Sequence, residues 1–133
     1  MRSPIFDQVN QEKQSAQRWT LQSDKMLRLG FGPEALAAKG AMVAYQGQFD
    51  FAHEGSGSMS NFLKKAVTNE GGQLMRVRGQ GEVFFARSNS TVFTIDLEGD
   101  SLTINTSSLL AFDASLDWKI TSIGNAGMLA GGL

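Results

Sequence analysis

The sequence predicts an all-β domain carrying one short helix, and three observations predict it. Apolar residues recur in runs of strand length, many alternating with polar residues, which is the period of a half-buried strand. Glycine is abundant, at 15 of 133 residues, and falls between those runs, where tight turns need φ > 0. Only one segment carries a sustained helical period.

In chain order, residues 1–16 read as an arm, with Ser3 as a cap, Pro4 at a first helical position, and Ile5, Phe6 and Val9 able to dock one turn. The β domain then runs over residues 17–133. Trp19 and Leu21 share one face of a strand, and Leu27 and Leu29 share one face of the next, after a Ser23-Asp24 turn. Gly30-Phe31-Gly32-Pro33 is a loop, and residues 34–39 fit a short strand or a helical turn equally well. The unbroken apolar run Ala41-Met42-Val43-Ala44-Tyr45-Gln46 predicts a central strand buried on both faces. Gly47 permits a turn or bulge before Phe49 and Phe51, which flank Asp50 on a half-buried strand.

The helix is predicted from Ser58, its cap, through Met59, Phe62, Leu63, Ala66 and Val67, and is closed by Gly71-Gly72. Residues 74–78 and 82–87 read as two strands joined by a turn or bulge at Gly79-Gln80-Gly81. Phe93, Ile95 and Leu97 are expected to face Leu102 and Ile104 across a hairpin turned by Glu98-Gly99-Asp100. Residues 109–112 and then Leu116, Trp118 and Ile120 complete the series. The glycine-rich residues 124–133 lead into one more apolar strand, whose bare edge calls for further chain or for a partner subunit.

Charge and residue types bound the function. Twelve Lys and Arg against thirteen Asp and Glu give a formal net charge of −1, so no overall field draws in nucleic acid or an anionic membrane. Without cysteine there is no disulfide, no thiolate nucleophile and no Cys-ligated zinc, which fits a reducing compartment. After Arg2 the chain turns polar too quickly for a secretory signal, and no window approaches the ~18 apolar residues of a membrane-spanning helix. A cytoplasmic domain without a cofactor is the expectation.

Four blocks resemble one known family in order and spacing. They are residues 40–47, residues 79–86, Ile95-Asp96-Leu97, and residues 108–113 with the following Trp118-Lys119-Ile120. The chain resembles the AIM24 family, also described as TRAP-like proteins. That resemblance implies a TRAP-like β-sandwich or double-stranded β-helix of two similar halves, of which this chain corresponds to the first half to two-thirds. It also implies a role without catalysis, since no catalytic motif accompanies the family, and for the mitochondrial members an association with inner-membrane organisation.

The chemistry-bearing residues support the same reading. His53, the only histidine, has Asp50 and Glu54 beside it on one short segment, and is better read as a structural or exposed side chain than as a metal ligand. Gly55-Ser56-Gly57-Ser58 lacks the GxxxxGK[ST] pattern of a phosphate loop and reads as a connection and helix cap. Asp96, Glu98, Asp100, Asp113 and Asp117 sit where turns place carboxylates. The candidate binding surface is Lys64, Lys65, Arg76, Arg78 and Arg87, with Arg76 and Arg78 on one strand face. The leading expectation is therefore a non-enzymatic module that self-associates or scaffolds a larger protein assembly, with membrane association permitted and nucleic acid disfavoured. The alternatives are a small-molecule or metal-dependent β-barrel enzyme around His53, and a phospholipid or nucleic-acid binder through the basic face.

Overall fold

The computed structural model describes residues 2–3, 15–30, 32–53, 74–123 and 126–132, with the backbone alone from Thr121 onward. The segment expected to be helical, Lys64, Lys65 and most of the N-terminal arm lie outside the described residues. Everything described is strand, turn or loop apart from one 3₁₀ turn at Thr106–Ser108.

The first hairpin follows from the period-two pattern. Strand β1 (Trp19–Ser23) pairs antiparallel with β2 (Met26–Gly30), so that Trp19 opposes Leu29 and Leu21 opposes Leu27. The turn is closed by the Ser23 hydroxyl, which accepts from the Lys25 N–H at 3.1 Å. Strand β3 (Ala35–Ala38) is the form taken by the segment that fitted strand or helical turn, and all four of its residues are buried. It contributes to two cores, with Ala38 in the same one as Ala35 and Ala37. Ala35 and Ala37 belong to one cluster with Leu27, Leu29, Val77 and Phe85, while Leu36 belongs to a second with Leu74, Leu109 and Ile120.

The longest strands are β4 (Met42–His53) and β5 (Leu74–Phe85), paired antiparallel from Met42 opposite Phe85 to His53 opposite Met75. The other edge of β5 is shared by β2 and β3. Gly30 opposes Glu82 and Ala35 opposes Val77, five residues further along each strand, so β2 and β3 form one path in a single register with a gap between them. Beyond that path lies β1 beside β2 and β7 (Ala111–Asp113) beside β3. A second, three-stranded sheet is formed by β6 (Ser101–Asn105), β8 (Asp117–Ile123) and β9 (Ala126–Gly132), with β9 in the middle. Leu36, Phe112, Ile104, Trp118 and Ile120 join the two sheets, with the Phe112 and Trp118 rings edge to face at 6.0 Å.

Three local expectations give way to long-range pairing. Residues 79–81 are not a turn between two strands, because β5 runs through them unbroken while β4 stays in register alongside. Gly81, at φ 128°, directly opposes Gly47, at φ 116°. A Cβ on Gly81 would overlap the Gln46 carbonyl oxygen and lie 2.9 Å from the Gly47 Cα. The glycines thus serve a close approach of two bent strands rather than a reversal.

The apolar run at residues 41–46 is not a central strand. Beyond Ala41 it forms the start of β4, which among the described residues pairs only with β5, and Val43 and Tyr45 are 56% and 50% exposed. The hairpin over residues 92–105 is likewise absent as a ladder. Its turn is present, with Asp100 Oδ1 accepting from the Glu98 N–H at 2.9 Å, but β6 pairs with β9. Residues 91–97 carry no strand, and Phe93 and Ile95 are 73% and 53% exposed.

Candidate functional site

The period of β5 places Arg76 and Arg78 on one face, as the sequence indicates, and the gap in the β2–β3 path places Glu34 against both. Arg76 Nη1 lies 2.7 Å from Glu34 Oε2 and Arg78 Nη1 lies 3.6 Å from Glu34 Oε1. Arg78 Nε also donates to Asp50 Oδ2 at 3.1 Å. The face is therefore an alternating row of two cations and two anions across three strand positions rather than a run of one sign. The hydrogen bond from Arg76 is the largest influence on Glu34 and holds its carboxyl below the usual range; the charges of Arg76 and Arg78 add to it, and partial desolvation opposes it.

A depressed folded-state pKa contributes stability above the unfolded value, and this is lost as pH falls through the folded one. Glu34→Gln should accordingly lower Tm at neutral pH. The gap to the parent chain should close as pH falls, and vanish once the carboxyl is protonated in both states. Thermal melts across an acid series test this, and a gap independent of pH would assign the loss to packing.

Arg87 lies elsewhere. Its Nη1 donates to the carbonyls of Ser107 and Thr106, which fastens the end of β5 to the 3₁₀ turn. His53 is exposed at the end of β4, opposite Met75, and the neighbouring Asp50 is engaged by Arg78. Among the described residues no three His, Asp or Glu side chains converge. Asn105 and Asp100 both hold turns, Asn105 Oδ1 accepting from the Ser107 N–H at 2.9 Å.

Arg18 is a structural residue that sequence reasoning did not single out. Its Nε meets Asp113 Oδ1 at 2.7 Å, and its Nη atoms donate to the carbonyls of Gly30, Pro33 and Glu34. Trp19 Nε1 donates to the same Asp113 oxygen at 3.2 Å. One guanidinium thereby satisfies the carbonyls left open where β2 breaks from β3, and ties β1 to β7. A glycine-proline break is all the sequence shows of it.

Between the sheets lies a groove of about 870 Å³, lined by Trp19, Leu27 and Phe112 of the first sheet, by Leu102, Ile104 and Trp118 of the second, and by residues 91–97. Val92 anchors its wall. The side chain is buried and the N–H donates to the Asp24 carbonyl at 2.8 Å. Beyond it, among the described residues, the backbone of residues 93–97 enters no strand pairing and no loop hydrogen bond. Phe93, Ile95 and Leu102 are the exposed large apolar side chains on this groove.

Two antiparallel sheets packed through a shared apolar layer, with an open groove between them, define an all-β domain in which no described helix is long and apolar enough to cross a membrane. Residues 20–133 match the family described as mitochondrial biogenesis AIM24, and the chain belongs to that family. Neither a curated protein nor a solved structure matches the chain.

Proposed function

We propose that this AIM24-family domain is a non-enzymatic module that works by self-association, as a scaffold or binding surface within a larger assembly. The observation that carries this reading is the convergence of Phe93, Ile95 and Leu102 on one groove while they remain open to water. Single exposed apolar side chains are ordinary, but a contiguous group of them beside unpaired backbone is the mark of an interaction surface. The Arg76–Glu34–Arg78–Asp50 row is better suited to holding three strands together than to attracting a polyanion, since its charges already neutralise one another. The family description concerns biogenesis rather than a reaction, and agrees with a role in assembly.

Light scattering on the eluting protein is the direct test. The parent chain should elute at a multiple of its 14.4 kDa, and the double variant Phe93→Lys/Ile95→Lys at the mass of one chain. Both positions are exposed, so the variant should fold normally. A parent chain that stays at one chain mass at every concentration would overturn the proposal.

A further inference from the structure

We infer that the partner at this surface is a second copy of the chain, and that residues 93–97 of two copies pair as antiparallel strands about a two-fold axis through Ile95. The inference rests on the self-association reading and adds to it the occupant and the register.

The segment has what an added strand requires. Its backbone donors and acceptors are uncommitted within the described chain, and its residues Phe93, Thr94 and Ile95 all favour strands. In a strand, Phe93, Ile95 and Leu97 take one face and Thr94 and Asp96 the other.

Self-pairing is then a question of register, and charge and anchoring select one. With the axis through Ile95, Phe93 meets Leu97 of the other copy and Thr94 meets Asp96, so apolar faces apolar and the only charge in the segment faces a hydroxyl. Moving the axis to Asp96 opposes two carboxylates directly. Moving it to Thr94 sets Asp96 against Val92, whose side chain is in the core and whose N–H is bound to Asp24. An axis between residues opposes apolar to polar positions along the whole strand. The Ile95-centred pairing is isologous and closes after two chains.

The chain contains no cysteine, so single cysteines read the register directly. Across an antiparallel pair, opposed Cα atoms lie about 4.5–5.5 Å apart, inside the 4.4–6.8 Å range of a disulfide. Ile95→Cys should therefore convert most of the full chain to a disulfide-linked dimer under mild oxidation. Phe93→Cys should not, because its two copies would be four residues apart along the ladder, about 13 Å. Mixing Phe93→Cys with Leu97→Cys chains should restore the crosslink. If Ile95→Cys stays uncrosslinked while light scattering shows an assembly, the register is wrong though self-association stands. If the chain is monomeric as well, both readings fall. Equal crosslinking of Phe93→Cys alone and Ile95→Cys also overturns the register.

Discussion

Gly81→Ala is expected to destabilise the fold by about 2–6 kcal/mol, combining the ~1–3 kcal/mol of a residue held at a disfavoured φ with the ~1–3 kcal/mol of forcing packed neighbours apart. The second contribution is the one that distinguishes this glycine from a glycine at positive φ in open space. The new methyl would meet the Gln46 carbonyl oxygen and the Gly47 Cα, which are backbone atoms of a paired strand with no rotamer to escape into. Gly99→Ala supplies the control. Gly99 has φ 81°, but a Cβ there meets no atom within 4 Å, so only a backbone cost of about 1–2 kcal/mol remains. Urea unfolding of both variants measures the difference. Equal losses would mean that β4 and β5 can separate at the glycines, and would refute close approach as their purpose.

Phe85→Ala should cost about 3–5 kcal/mol, as expected for deleting a buried aromatic side chain. Phe85 is fully buried, and its position in β5 opposes Leu27 of β2 on one edge and Met42 of β4 on the other. The cavity would open where three strands are joined, among the largest fully buried side chains described. Phe84 points to the opposite face and is only half-buried, so Phe84→Ala should cost clearly less. Denaturant midpoints of the pair decide it, and a Phe84 effect as large as that of Phe85 would contradict the assigned faces. Against a total stability of about 5–15 kcal/mol, either large effect leaves the domain marginal.

Parts of the surface chemistry can be read from the linear chain. Arg76 and Arg78 share a face because strand side chains alternate, and that requires no knowledge of the neighbours. Their partners Glu34 and Asp50 lie 42 and 28 residues away, respectively, and meet them only through strand pairing. Arg18 reaches across 95 residues to Asp113, so its role at the β2–β3 gap has no local signature. Phe93 and Ile95 illustrate the converse. Their alternation predicts a strand, yet residues 91–97 form none, because period two does not say whether another edge lies alongside to pair with or cover them.

Composition and periodicity predict the all-β class, the first hairpin and the residues that alternate between faces, and the match over residues 20–133 carries the membership of the AIM24 family. Which strand pairs with which is set by contacts between distant parts of the chain. Among the described residues, those contacts place β4 at an edge, run β5 straight through its glycines, give β6 to β9, and leave residues 93–97 unpaired. The physical reason is that periodicity and turn chemistry act within a few residues. A strand's backbone, by contrast, bonds to whichever edge the whole chain brings alongside, and here β6 lies against β9 rather than against the segment next to it in sequence.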